Sequence, residues 1–188
     1  VDAAEADIRS CGLIILQLEI PLETVYHTIE LGRRSGIPVL LNPAPATKEL
    51  AIDRVCACDF FVPNETELAI LTEMPTATQE DVEHAAAFLL GKGLKNVIVT
   101  LGARGVLWMT KEEKHFVPAC HVDATDTSGA GDAFIGCFSS SYVQDGDTLA
   151  AIRKASAFAA LSVTRKGTQM SYPDRATFAA FLAQQGGR

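Results

Sequence analysis

Apolar residues occur along this chain in two alternating patterns, short continuous runs and longer amphipathic stretches. The runs at 12–18 and 37–41 are short and almost wholly apolar, which is typical of strands buried on both faces of a sheet. Between them, Leu22–Ser35 carries apolar side chains at three- and four-residue spacing and is followed by Gly36. This spacing and the glycine stop predict a helix that ends at Ser35.

The same two patterns continue to the end of the chain. Asn64 is a good N-cap for a helix over 65–71, because Glu67 stands at the capping-box position three residues on. We predict further helices over 79–91, 129–142, 148–164 and 173–184, and strands over 59–62, 96–101, 106–109 and 115–118. The alternation predicts one α/β domain over residues 1–188. Its sheet is doubly wound and mainly parallel, with helices on both faces, and its last two strands form an antiparallel ribbon.

Polar residues or glycine follow four of the predicted strands. Glu19, Asn42 and Gly102 each come directly after a strand, and Asn64 follows Pro63, which ends another. Ligands of open α/β sheets bind beyond the carboxyl ends of the strands, so we expect a binding site at this edge.

Charge and composition exclude several function classes. The 16 basic and 23 acidic residues give a net charge of −7, which disfavours a nucleic-acid partner. No apolar run is long enough to cross a bilayer, so no membrane partner is expected. The five cysteines have irregular spacing, which disfavours a zinc site and is typical of reduced thiols in a cytoplasmic protein.

The densest chemical signal is the segment 126–134, Asp-Thr-Ser-Gly-Ala-Gly-Asp-Ala-Phe, which leads into a predicted helix. Glycines let the backbone approach a ligand closely, and free N–H groups at a helix start suit a phosphate group. Asp132 lies in the first helical turn, where a carboxylate can accept a proton from an attacking hydroxyl. The alternative is a structural helix start in which the aspartate only caps. The segment is neither a Walker A loop nor a dinucleotide fingerprint, and the missing fingerprint counts against an NAD-dependent oxidoreductase.

These residues resemble the signature D-T-x-G-A-G-D of the ribokinase family of carbohydrate kinases. Four more segments agree with the family in order, and the agreement runs from about residue 17 to the C-terminus. They are N-P-A-P-A at 42–46, P-N-E-T-E at 63–67, T-L-G-A-R-G at 100–105 and S-V-T-R-K-G-T-Q at 162–169. The resemblance implies ATP-dependent transfer of the γ-phosphate to a sugar hydroxyl. D-ribose is the leading acceptor, deoxyribose the close alternative, and a nucleoside or fructose acceptor lies further off.

The resemblance also implies roles for individual residues. Asp132 is the catalytic base, and the backbone of Gly129, Ala130 and Gly131 forms the anion hole. Asn64 and Glu67 position Mg²⁺ and the phosphates of ATP. Thr100, Gly102 and Gly105 are implied to contact the nucleotide, with Ser156 near the adenine. Glu19 is implied to bind the sugar hydroxyls. The residues implied around K⁺ are Asp126, Ser128, Ser162, Arg165, Gly167 and Ser171.

Several of these assignments have a purely structural alternative. Asn64 and Glu67 can form only a capping box, residues 100–105 can be a plain turn between strands, and Glu19 can be an exposed acid at a strand end. A non-catalytic nucleotide-binding module is the alternative for the whole chain.

Members of the family begin with a part that has no counterpart here. It carries most sugar contacts and a small lid that often forms the contact of a homodimer. We therefore expect the full-length protein to be a homodimer and these 188 residues alone to phosphorylate sugar poorly.

Overall fold

The computed structural model describes residues 1–185, which form two compact units. Unit 1 holds Val1–Leu101 and Leu107–His115, and unit 2 holds Gly102–Val106 and the described residues from Phe116 onward. The prediction of one domain over the whole chain stays a prediction. Among the described residues, no helix has the length and apolar character needed to cross a membrane.

Unit 1 is built from alternating helices and strands. Its helices are α1 (Glu5–Ile8), α2 (Leu22–Ser35), α3 (Ile52–Val55), α4 (Glu65–Thr72) and α5 (Gln79–Lys92). Its strands are β1 (Ile14–Leu16), β2 (Val39–Leu41), β3 (Phe60–Phe61) and β4 (Val97–Thr100).

Two more strands continue the sheet, and the remaining helices belong to unit 2. The strands are β5 (Gly105–Met109) and β6 (Lys114–Pro118), and the helices are α6 (Ala130–Asp145), α7 (Thr148–Ser162) and α8 (Arg175–Gln185). Short 3₁₀ turns lie at Asp2–Ala4, Gly102–Arg104 and Gln169–Ser171.

The six strands form one sheet in the order β1-β2-β3-β4-β5-β6. Pairs β1–β2, β2–β3 and β3–β4 are parallel. The connections from β4 to β5 and from β5 to β6 are too short for a parallel crossover, so both pairs are antiparallel. The α/β fold with a mainly parallel sheet and a terminal ribbon is therefore confirmed.

The core of unit 1 explains where one strand prediction was wrong. Strand order rises steadily from β1 to β4, so right-handed crossovers carry their helices to the same face of the sheet. Ile14 and Leu16 on that face are buried in the core, whereas Ile15 between them is 42% exposed. Within the described residues, β1 is therefore an edge strand with one covered face, which differs from the predicted burial on both faces.

Helix boundaries follow the capping residues. α2 ends at Ser35 because Gly36 takes a left-handed conformation with φ of 69°. α8 begins at Arg175 rather than Pro173, because the Asp174 carboxylate accepts the Thr177 N–H at 2.7 Å and so caps the helix. α7 ends at Ser162, two residues before the predicted end.

Candidate active site

The carboxyl ends of the parallel strands bring several predicted site residues of unit 1 to one edge. The N–H of Thr100 donates to the carbonyl of Pro63 at 3.0 Å, and Asn64 forms an isolated parallel bridge with Thr100. The Asn42 side-chain amide donates to the Val62 carbonyl at 2.8 Å, which ties the ends of the neighbouring strands together. Glu19 is exposed beyond the end of β1.

Asn64 and Glu67 form the predicted capping box at the start of α4. The Asn64 side-chain oxygen accepts the Glu67 N–H at 2.8 Å, and the Glu67 carboxylate accepts the Asn64 N–H at 2.8 Å. Burial raises the pKa of the half-buried Glu67 carboxyl, because the charged form loses hydration there, although the Asn64 N–H opposes that rise. This carboxylate is held in one orientation by the backbone.

The donor set near Glu67 fits Mg²⁺ held largely by water and phosphate. In the part of the chain that the structure describes, no three His, Cys, Asp or Glu side chains are grouped to hold a metal ion. Only one oxygen of the Glu67 carboxylate is engaged in the capping box, so the other is available to metal-bound water. Mg²⁺ keeps several waters and is commonly bound through one or two carboxylates and substrate phosphates.

The two predicted nucleotide-contacting glycines differ in their surroundings. A Cβ on Gly105 would lie 2.1 Å from the Val117 carbonyl oxygen. Packing against β6 is therefore a sufficient reason for a glycine at this position. Gly102 is exposed with φ of 53°, and a Cβ on it would meet nothing within 4 Å. Gly102 therefore leaves open space beside the turn, while the glycine at 105 is explained by the sheet.

The start of α6 presents unsatisfied amides beside a solvent-exposed carboxylate. Gly129 is the N-cap with φ of 74°, and the N–H of Ala130 donates to the Thr127 carbonyl at 3.2 Å. The N–H groups of Gly131 and Asp132 make no hydrogen bond to any described residue. The Asp132 side chain is exposed rather than packed in the core. A helix start of this kind attracts an anion through its amides and its dipole.

Asp126 ties the turn before α6 to the loop after α7. One of its carboxylate oxygens accepts the Ser128 N–H at 3.0 Å and the other accepts the Gly167 N–H at 2.9 Å. These amides, first that of Gly167, lower the pKa of the Asp126 carboxyl to about 2. The Val163 carbonyl accepts the Asp126 N–H at 3.1 Å, which adds a backbone connection between the same two segments.

Two buried hydroxyls flank the loop that contacts Asp126, one at the end of α7 and one in the following 3₁₀ turn. Ser162 donates to the Ala159 carbonyl at 2.8 Å and Ser171 to the Thr168 carbonyl at 2.7 Å, and each is about 1% exposed. Their oxygen lone pairs remain available, and neutral oxygens with one carboxylate are hard ligands that fit an alkali cation. Arg165 is exposed, and its N–H makes a long contact of 3.5 Å with the Ser162 carbonyl.

Ser156, predicted to lie near the adenine, is buried within α7 and 7% exposed. Its neighbours Ala155 and Ala157 are also buried, so this stretch of α7 is closely packed. Whether its hydroxyl meets a nucleotide stays a prediction.

Tyr172 lies outside every motif that the sequence singles out, yet it contacts the turn before α6. Its hydroxyl donates to the Gly129 carbonyl at 3.2 Å. A lone tyrosine one position after Ser171 carries no periodic or spacing signal, so only the tertiary structure reveals this contact.

Comparison with known proteins identifies the family and the fold. The family model described as pfkB family carbohydrate kinase matches residues 2–175. A deoxyribokinase from Salmonella typhi is 58% identical over 97% of the chain and 60% of its own length. A ribokinase from Schizosaccharomyces pombe is 42% identical over 92% of the chain and 55% of its own length. The solved structure of Arabidopsis thaliana ribokinase, complexed with ribose and ATP, superposes with a TM-score of 0.91 at 31% identity, covering 97% of this chain and 59% of that one.

The chain thus spans about 60% of the length of the deoxyribokinase that it matches. Nearly all of the chain is covered in each comparison, so the shared region includes both compact units.

Proposed function

Because the chain belongs to the pfkB family of carbohydrate kinases, we propose that the protein containing it transfers the γ-phosphate of ATP to a sugar hydroxyl. The observation that carries the proposal is the start of α6. There the N–H groups of Gly131 and Asp132 make no hydrogen bond within the described chain, and the Asp132 carboxylate is exposed beside them.

Each part of this turn has a task in phosphoryl transfer. The amides of Gly129, Gly131 and Asp132 donate to the oxygens of the phosphoryl group, whose negative charge is spread in the transition state. The Asp132 carboxylate accepts the proton of the sugar hydroxyl as that oxygen attacks phosphorus. Ala130 serves the turn in another way, since its N–H already donates to the Thr127 carbonyl.

Further residues have proposed roles toward the nucleotide and its metal. When bound, Mg²⁺ neutralises charge on the phosphates of ATP. Glu67 and Asn64 would hold that ion through its water shell. Thr100 and Gly102 are the proposed contacts of the nucleotide, and Ser156 is the proposed contact of its base. Glu19 accepts hydroxyls of the sugar.

A monovalent cation, K⁺, is proposed as a second ligand. Its proposed site consists largely of backbone oxygens, with residues Asp126, Ser128, Ser162, Arg165, Gly167 and Ser171. The support is the direct bonding of Asp126 to Ser128 and Gly167, which ties this loop to the turn before α6. A cation that orders the loop therefore orders the anion hole as well.

The proposed acceptor is a pentose, and 2-deoxy-D-ribose is the first to test. The higher identity to a deoxyribokinase than to ribokinases supports this order. D-ribose, which the sequence motifs favour, is the second candidate. The two sugars differ by one hydroxyl. A site built to bond that hydroxyl strongly rejects the analogue that lacks it, which here is 2-deoxy-D-ribose.

A substrate panel on the complete protein tests this proposal. ADP release is followed with 2-deoxy-D-ribose, D-ribose, D-fructose and adenosine, each in KCl and in NaCl at equal ionic strength. We expect turnover with a pentose, faster in KCl, and a higher kcat/KM for 2-deoxy-D-ribose than for D-ribose. Binding of ATP in calorimetry with no ADP formed from any acceptor would instead favour a non-catalytic nucleotide-binding module.

A further inference from the structure

The carbonyl of Gly129 accepts two hydrogen bonds from different parts of unit 2. The Ala133 N–H donates to it at 2.9 Å from the first turn of α6. The Tyr172 hydroxyl donates to the same oxygen at 3.2 Å from a residue 43 positions away. This carbonyl belongs to the peptide that enters α6, so its orientation sets the direction of the amides that follow.

Tyr172 is itself held by aromatic packing. Its ring centroid lies 6.0 Å from that of Phe158 in α7 in a tilted arrangement. Phe158 in turn meets Phe178 of α8 edge-on, at 5.1 Å between centroids. Aromatic pairs at these distances and angles are favourable, so the phenol is anchored directly to α7 and, through Phe158, indirectly to α8.

The turn has little room to move against this loop. A Cβ on Gly129 would lie 3.3 Å from both the Tyr172 hydroxyl oxygen and the Thr168 Cβ. At its other end, the turn is held by the Asp126 carboxylate, which accepts the amides of Ser128 and Gly167. The segment 126–129 is therefore fastened at both ends to the loop that follows α7.

We propose that Tyr172 is a positioning residue, whose hydroxyl holds the Gly129 peptide so that the amides of Gly131 and Asp132 and the Asp132 carboxylate face the reacting groups. The proposal rests on the function proposed above for the start of α6. Tyr172 acts through Gly129 and needs no contact with ATP or sugar.

Removal of the hydroxyl alone separates positioning from packing. Tyr172→Phe keeps the ring that contacts Phe158 and deletes only the donor to Gly129. Misplacement of a reacting group by less than 1 Å lowers the rate of the chemical step, with little effect on ground-state binding. We therefore expect kcat to fall by about tenfold, while the KM values for sugar and ATP stay within about twofold of wild type.

Tyr26→Phe is the matched control in the complete protein. The Tyr26 hydroxyl accepts the Ala51 N–H at 2.8 Å, so this variant also loses one hydrogen bond between a tyrosine hydroxyl and the backbone, in unit 1. We expect both variants to melt at slightly lower temperatures and only Tyr172→Phe to lose kcat. An unchanged kcat in Tyr172→Phe, or an equal loss in both variants, would overturn the proposal.

Amide exchange of Ala133, followed by NMR, gives a second readout that does not need activity. The Ala133 N–H donates to the carbonyl that Tyr172 holds, so its exchange should accelerate about fivefold or more in Tyr172→Phe and stay unchanged in Tyr26→Phe. Unchanged exchange in Tyr172→Phe would sink the positioning role even in an active enzyme. A wild-type protein that phosphorylates no acceptor would sink the kinase proposal, and exchange would still decide whether Tyr172 holds the turn.

Discussion

Glu67 carries a charge that its structural task does not need. In the capping box its side chain only accepts the Asn64 N–H, which a neutral glutamine oxygen would also accept. Burial raises the pKa of this carboxyl, so the ionised form is destabilised in the folded protein. An acidic side chain at a position where a neutral glutamine would serve indicates a role in ligand binding, and phosphate-bound Mg²⁺ is the ligand that suits one carboxylate here.

Glu67→Gln should therefore separate stability from activity. The pKa of Glu67 is raised in the folded state. The stability that this carboxyl contributes is therefore fully present below its unfolded pKa and is lost as pH rises through its folded pKa. At pH 7.5 the variant should melt at the same temperature as wild type or higher, with any gain shrinking toward pH 4. Kinase assays should show a lower rate and a higher Mg²⁺ requirement.

Asp81→Asn provides the control of opposite sign. Asp81 closes the capping box of α5, where its carboxylate accepts the Thr78 N–H at 2.9 Å. This hydrogen bond lowers the pKa of Asp81, so its stabilisation is present above the unfolded pKa and is lost as pH falls through the folded pKa. The variant should be less stable than wild type at pH 7.5, with unchanged kinetics. Full activity of Glu67→Gln at low Mg²⁺ would contradict a role for the charge.

At the scale of one element, α6 contains two glycines with no packing reason to be glycine. A Cβ on Gly131 or on Gly136 would meet no heavy atom within 4 Å, and both residues are exposed. Glycine disfavours a helix by about 1 kcal/mol relative to alanine, so each residue weakens α6. Gly131 lies in the first turn, beside the unbonded amides, where a methyl group would occupy the space of a bound phosphate.

Gly131→Ala should leave the fold as stable as wild type or more stable, and should lower kcat/KM at least about tenfold through the blocked approach of phosphate. Gly136→Ala makes the same chemical change within the same helix and should raise the melting temperature without altering kinetics. Melting curves and ADP-release assays on both variants provide the measurement. Wild-type kcat/KM in Gly131→Ala would show that no phosphate group approaches this turn.

Elements with strong local signals are the ones that the sequence predicts best. α2 has the predicted bounds, because Gly36 stops it and apolar spacing marks its buried face. The capping box of Asn64 and Glu67 is likewise confirmed, since both partners lie within one helical turn. The four-residue helices α1 and α3 escape prediction, because four residues are too few to show a period.

At the scale of the whole molecule, the alternating pattern predicts an α/β sheet but not the contacts that shape the site. The bond between Asp126 and Gly167 joins residues 41 positions apart, and that between Tyr172 and Gly129 joins residues 43 apart. Such contacts depend on how α6, α7 and α8 pack and leave no local pattern. The candidate residues in motifs are therefore readable from the sequence, whereas the residue that holds them in place is not.

The division into two compact units also leaves no local pattern in the sequence. Residues 102–106 belong to unit 2 although their neighbours on both sides belong to unit 1. No change in composition marks these boundaries, and one of them falls within β5, between Val106 and Leu107.

The central claim is that Asp132 removes the proton of the acceptor hydroxyl while the start of α6 receives the phosphoryl group. The most direct measurement is kcat for pentose phosphorylation by Asp132→Asn in the complete protein, with ATP affinity determined in parallel by calorimetry. Asp132 is exposed, so the variant should fold as wild type does. The account predicts that kcat falls by about 10²- to 10⁴-fold while ATP affinity is kept. A variant that retains more than about a tenth of the wild-type kcat would contradict it.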